Sequence, residues 1–140
     1  MKEECPVARK RIVLGISGGI AAYKCAALVR LFVKADVDVT CVVTEHAKNF
    51  VTPMTLGTLS KHPVYDDAAL FSVVERPLHI ALAQEFDAIV VAPATGNIMA
   101  KAACGIADDL LSSVLLAAAV PVAYAPAMNE VMWNNPATQQ

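Results

Sequence analysis

Arg11-Ile12-Val13-Leu14-Gly15-Ile16 carries no polar side chain after its first position and stops at Ser17-Gly18-Gly19. An apolar run of this length, ended by glycines, reads as a strand buried on both faces. Ile20 to Ala35 then takes up helical spacing through Ala21, Cys25, Leu28 and Phe32. A strand, a glycine turn and a helix in direct succession open a βαβ unit, and this order decides the fold class.

The alternation continues along the chain. Val37 to Val43 is a predicted second strand, closed by Thr44. Thr52-Pro53 has the form of an N-cap followed by proline at the first helical position, starting a short helix toward Ser60. Pro63-Val64-Tyr65 predicts a brief third strand, and Asp66 to Pro77 a loop. His79 to Glu85 suits a helix and Ala88 to Ala92 a fourth strand. Helices over Asn97 to Cys104 and Asp108 to Ala119 part near Gly105, and Pro121 to Ala125 is the fifth strand. Nearly all-apolar strands alternating with helices predict an α/β domain with a parallel sheet covered on both faces and right-handed crossovers.

At 140 residues the chain suits one domain, 1–140, with residues 1–10 as an N-terminal extension. The hydrophobic fraction of 56% and mean hydropathy of +0.51 are high for a soluble monomer. Yet Asp108, Asp109, Pro121 and Pro126 break the longest apolar stretches below the roughly 18–20 residues a membrane crossing needs. The surplus is therefore assigned to a buried sheet and to subunit interfaces. A net charge of −2 provides no basic stripe for nucleic acid. Lys2 to Arg11 mixes acids with bases and leads into no signal-type apolar core, which argues for a cytoplasmic chain. Cys5, Cys25, Cys41 and Cys104 form no C-x-x-C pair, so neither a zinc site nor a disulfide framework is expected. Cys25, Cys41 and Cys104 read as small buried residues.

In a parallel sheet the loops after strands one, four and five share the carboxyl edge, where ligands sit. Ser17-Gly18-Gly19 lets backbone N–H groups approach a phosphate at a helix start. Its spacing matches neither G-x-G-x-x-G nor a Walker A loop, and a tight turn without a ligand is the competing reading. Thr44 is a second donor for a phosphate or ribityl group. Glu45 could instead imitate the ribose-binding acid of a dinucleotide fold, against which the glycine spacing counts. In Pro93-Ala94-Thr95-Gly96-Asn97, Thr95 and Asn97 can bond a planar heterocycle and Gly96 allows close approach. The plainer alternative is a loop with Asn97 as N-cap. Pro126-Ala127-Met128-Asn129-Glu130-Val131-Met132-Trp133 offers an amide suited to a ligand carboxylate or amide, with Met128, Met132 and Trp133 as an apolar wall. Asn129 as a simple helix cap is the alternative there. Of the histidines, His46 and His62 read as surface groups, and His79 as a candidate acid/base facing a cleft.

With these blocks in order, the chain resembles the flavin-dependent cysteine decarboxylases, and within them the phosphopantothenoylcysteine decarboxylase branch. The resemblance runs from Arg11 to Gln140 through Ser17 to Lys24, His79 to Ala83, Pro93 to Asn97, Gly105 to Leu111 and Pro126 to Trp133. It implies a Rossmann-like three-layer α/β/α domain that binds FMN and assembles as a homotrimer or a multiple of trimers, with sites formed between subunits. Ser17, Gly18, Gly19, Thr44, Thr95, Gly96, Asn97 and Ala127 fall at flavin-contacting positions. His79 falls at the active-site histidine, and Asn129 at the asparagine that holds the substrate carboxylate, with Met132 in the same binding motif. No metal is implied.

The implied reaction converts 4′-phospho-N-pantothenoylcysteine to 4′-phosphopantetheine in coenzyme A synthesis, through oxidation of the cysteinyl part, loss of CO2 to an enethiol, and return of the electrons. Gly96 departs from the more usual alanine. The family also continues into a final strand and a substrate-covering loop with a reactive cysteine, which the sequence ending at Gln140 does not reach. The expectation is a chain cut short, or one that binds FMN and decarboxylates without completing the reduction. A peptidyl-cysteine decarboxylase stopping at the enethiol and a non-catalytic regulatory flavoprotein subunit are the alternatives. A flavin prenyltransferase is opposed by the His79 and Asn129 blocks.

Overall fold

The computed structural model describes residues 8–72 and 75–140. The extension through residue 7, with Cys5, and two positions of the expected loop before Pro77 lie outside them. Five strands form one parallel sheet: β1 (Arg11–Ile16), β2 (Asp38–Val43), β3 (Val64–Tyr65), β4 (Ala88–Ala94) and β5 (Val122–Pro126), in the order β3-β2-β1-β4-β5. Leu14 pairs with Cys41 on one side and Val90 on the other, which puts β1 at the centre.

Successive β1 side chains alternate between two cores. Ile12, Leu14 and Ile16 pack with Cys25 and Val29 of α1 (Cys25–Lys34) and Leu56 of α2 (Pro53–Ser60). Val13 joins the opposite core with Leu82 of α3 (Leu78–Gln84), Ile98 of α4 (Gly96–Cys104) and Leu111 of α5 (Leu110–Leu116). β1 is covered on both faces, so its positions after Arg11 are all apolar, and that requirement produced the unbroken run in the sequence. The architecture is the three-layer, Rossmann-like arrangement the sequence predicts. From β1 the sheet winds one way to β2 and β3 and the other way to β4 and β5. The exits of β1 and β4 therefore lead to opposite faces and leave a crevice between them.

Several boundaries differ from expectation for identifiable reasons. The helix expected from Ile20 opens as a 3₁₀ segment, Ile20–Lys24, and becomes α-helical only at Cys25. Ala22 N–H donates to Gly19 at 2.9 Å, and this tighter turn tucks the Ala22 methyl fully into the core. The α5 helix begins after Asp108 and Asp109 because Asp109 is its N-cap, in a reciprocal capping box with Ser112. Asp66 caps a short 3₁₀ turn, Asp67–Ala69, within the expected loop. Thr52 does cap α2, accepting from Thr55 N–H, with Pro53 in the first helical turn.

Cys25 and Cys41 are buried, but Cys104 is exposed at the end of α4, just before Gly105 turns left-handed at φ +68. Burial pushes the Cys25 thiol up to about 11. Burial, with neighbouring Cys25 adding to it, pushes Cys41 up to about 12. Both are packing residues, and Cys25 Sγ also donates to the Ala92 carbonyl. Among the described residues no helix is long and apolar enough to cross a membrane. Along β5, Ala123 to Pro126 are exposed. A short final helix, α6 (Glu130–Trp133), follows it.

Candidate functional site

The crevice opens into a cavity of about 940 Å³ at the carboxyl edge of the sheet. Four strand exits reach it: Gly18 to Ala21 after β1, Thr44 to His46 after β2, Thr95 to Asn97 after β4, and Ala127 to Asn129 after β5. Met132 of α6 adds an apolar contact. Gly18, Gly19, Thr44, Thr95, Gly96, Asn97, Ala127, Asn129 and Met132 are thus brought to one wall, and Ser17 and His79 are not.

Ser17 is buried behind the wall. Its hydroxyl donates to the Pro93 carbonyl at 2.5 Å and accepts the Thr95 N–H at 3.0 Å. Both capacities are committed to the protein, so Ser17 braces the β1 and β4 exits and presents no side-chain donor to the cavity. Gly18 is required by the β2 exit: a Cβ built there would lie 2.3 Å from the His46 Cβ and 3.0 Å from its carbonyl carbon. Gly96 differs, since a Cβ there would meet nothing within 4 Å.

The helix-cap alternative for Asn97 is corrected by the structure. Thr95 is the α4 N-cap, its hydroxyl accepting from Ile98 N–H at 3.4 Å. Asn97 is therefore free to face the cavity from the first turn. Among the described residues, the N–H groups of Gly18, Ile20, Ala21, Gly96 and Asn97 have no protein acceptor. Two helical openings thus direct unpaired donors into one space, an arrangement suited to a phosphate and to carbonyl or ring-nitrogen acceptors.

Asn129 takes the helix-cap role and keeps a donor for a ligand. It is the N-cap of α6, with Oδ1 accepting from Val131 N–H at 2.8 Å, and its Nδ2 amide group remains as a donor at the cavity. The expected apolar wall is only partly formed: Met128 and Met132 line the cavity, whereas Trp133 turns to a separate shallow depression with Pro126. His46, expected at the surface, is exposed and also lines the cavity.

Charged residues line the cavity as well, and Lys101, Asp67 and Asp109 are not singled out by the sequence. Lys101 Nζ sits 2.7 Å from Asp108 Oδ1 and 3.1 Å from Asp109 Oδ2. The Asp108 hydrogen bond, then that of Asp109, raises the lysine above its usual range. Burial would raise Asp109, but the Ser112 N–H and hydroxyl, together with Lys101, outweigh it and hold the carboxyl low. Asp67 Oδ1 accepts the Leu110 N–H at 2.9 Å, tying the turn after β3 to the start of α5. Lys101 precedes Asp108 by a helix end and a left-handed glycine, so no helical spacing announces the pair.

His79 lies on α3 in a smaller cavity with Leu70, Phe71, Ser72, Pro77, Ala107 and Ser113. Its Nδ1 is buried without a hydrogen-bond partner. The two cavities flank the same partition: Asp67, Asp108 and Asp109 face one, and Leu70, Ala107 and Ser113 face the other.

A doubly wound parallel sheet whose switch-point crevice gathers unpaired N–H groups defines a Rossmann-like cofactor-binding protein. The Flavoprotein family model matches residues 2–140, and the chain belongs to that family. It is 47% identical over 135 residues to the coenzyme A biosynthesis bifunctional protein CoaBC of Vibrio cholerae, covering 96% of this chain and 34% of that protein. The chain thus spans about a third of that relative's length. The structure of the FMN-dependent cysteine decarboxylase SpaF superposes with a TM-score of 0.87 at 34% identity, over 94% of this chain and 76% of that one. A PPC decarboxylase mutant complexed with pantothenoylaminoethenethiol superposes with a TM-score of 0.84 at 32% identity, over 94% and 74%. The residues present fit a flavin. Unpaired N–H groups and the Thr44 hydroxyl suit the phosphate end, and Thr95, Gly96 and Asn97 border a neutral face open to a planar ring.

Proposed function

We propose that residues 1–140 form a single FMN-binding decarboxylase domain that converts 4′-phospho-N-pantothenoylcysteine to 4′-phosphopantetheine. The observation that carries this reading is the cavity shared by the loops after β1, β2, β4 and β5, with the Asn129 Nδ2 donor in its lining. The 47% identity to a coenzyme A biosynthesis protein supports the substrate assignment. The 34% identity to an FMN-dependent cysteine decarboxylase supports FMN as the flavin.

FMN, when bound, supplies a reversible two-electron acceptor, the sink that a simple cysteinyl carboxylate lacks. The free N–H groups of Gly18, Ile20 and Ala21 and the Thr44 hydroxyl hold its phosphate and ribityl end. Thr95, Gly96, Asn97 and Ala127 border the ring. Asn129 Nδ2 donates to the substrate carboxylate and orients it for departure, a contribution of geometry more than of charge. Met128 and Met132 keep water away from that carboxylate. His79 moves the proton at the substrate's cysteinyl carbon from the cavity of an adjoining subunit. Its unpaired Nδ1 and its place behind the Asp67–Asp109 partition favour completion of the site in a homotrimer or a multiple of trimers. The reading places the enzyme in the cytoplasm.

The test is to purify the protein, record its visible spectrum after FMN addition, and follow CO2 release and product mass with phosphopantothenoylcysteine. A flavin spectrum and the mass of 4′-phosphopantetheine are expected. A protein that cannot be loaded with FMN would sink the reading. A product that stops at the enethiol mass would favour cysteine decarboxylation without the reductive half.

A further inference from the structure

We infer that His46 is the side chain that selects the phosphate of the bound flavin, a phosphomonoester contact made by the β2 exit. This inference rests on the flavin reading above. Among the lining residues, only Lys101 and His46 can carry positive charge. Lys101 is held by Asp108 and Asp109 and is spent on them. Glu45, which would repel a phosphate, is itself held by Lys48 at 2.7 Å. His46 has no acidic partner among the described residues, and it is exposed at the cavity wall.

Its position matches its chemistry. The His46 Cβ lies where a Cβ on Gly18 would collide, 2.3 Å from that point, so the imidazole leaves the backbone directly beside the Gly18 turn. That turn carries the unpaired N–H groups of Gly18, Ile20 and Ala21. Backbone donors alone bind a phosphate, but they cannot neutralise it. An adjacent imidazole adds a donor that can also carry charge. The glycine at position 18 thus has a second consequence: it lets a histidine two residues beyond Thr44 stand at the phosphate end.

The experiment compares FMN with riboflavin, which differs only by the phosphate, by flavin fluorescence quenching on the full chain. His46→Ala keeps the Cβ that packs over Gly18, so the local backbone contact survives. The variant is expected to lose FMN affinity about tenfold or more while riboflavin affinity stays within about twofold. His46→Lys is expected to recover most of the FMN preference. Unchanged FMN affinity in His46→Ala overturns the inference, as does an equal loss for both flavins. Wild-type protein that binds neither flavin overturns the flavin reading itself, and the inference with it.

Discussion

Ser17 Oγ donates to the carbonyl of Pro93, 76 residues further along the chain, and the same oxygen accepts the N–H of Thr95. One buried hydroxyl thereby fixes the spacing between the two loops that lead away from the crevice on opposite faces of the sheet. The hydroxyl expected from the sequence to touch a ligand belongs to the frame that spaces the two loops of the cavity.

Ser17→Ala removes both side-chain hydrogen bonds, leaving the part-buried Thr95 N–H without its acceptor and the Pro93 carbonyl with the Ser17 N–H alone. A loss of about 1–3 kcal/mol is expected. Urea unfolding should record it as a lower midpoint at unchanged slope. Ser17→Cys, with a weak donor in similar volume, should fall between the two.

Gly18 and Gly96 make opposite demands at the same cavity. Gly18→Ala would force a Cβ to within 2.3 Å of the His46 Cβ, so flavin binding and the unfolding midpoint should both fall. Gly96→Ala meets open space at the first position of α4, where alanine lowers the entropy of the unfolded chain. A gain of about 0.4–1 kcal/mol is expected, with flavin affinity retained. Loss of the folded state in Gly96→Ala would contradict this account.

Asn129→Asp separates the two duties of that residue. Aspartate caps as well as asparagine, so α6 should persist and circular dichroism should not change. In the proposed reaction, however, the amide donor becomes a carboxylate facing the substrate carboxylate. A drop in kcat/KM of about 10- to 100-fold is expected, with FMN affinity preserved. Full turnover would remove Asn129 from the carboxylate-binding role.

The partition between the two cavities should weaken in acid. Asp109 is held below its ordinary value in the folded protein, so its contribution is complete above the unfolded aspartate value near 3.9. It is lost as the pH falls from about 5 through that value toward the lower native one. Urea midpoints measured from pH 6 down to pH 3 should decline less steeply in Asp109→Asn, which keeps a capping side chain but has no charge to lose.

Much of this architecture was legible because the central strands are covered on both faces. Arg11 to Ile16 and Ala88 to Ala92 could only be strands once turn signals bounded them, and Thr52-Pro53 named its own helix start. Side-chain direction was less accessible. Ser17 looked like a ligand contact because glycines follow it, but the sequence does not reveal that Pro93 and Thr95 occupy its hydroxyl. Thr95 and Asn97 are both good caps two residues apart, and only the path of α4 decides between them. Lys101, Asp67 and Asp109 come together across three elements, which no local spacing encodes. Trp133 was grouped with Met132 by adjacency, yet neighbours on a short helix point in different directions.

Asn129 holds its own first helical turn with the oxygen of its amide, and this gives a symmetric-looking side chain a fixed polarity. An untethered amide could turn over and welcome either a hydrogen-bond donor or an acceptor. With the oxygen turned to Val131, the nitrogen end of the amide is the end left to the cavity, so a ligand atom meeting it meets a donor. The helix cap therefore does a second job: it sets which end of the amide a ligand at this edge of the sheet would meet.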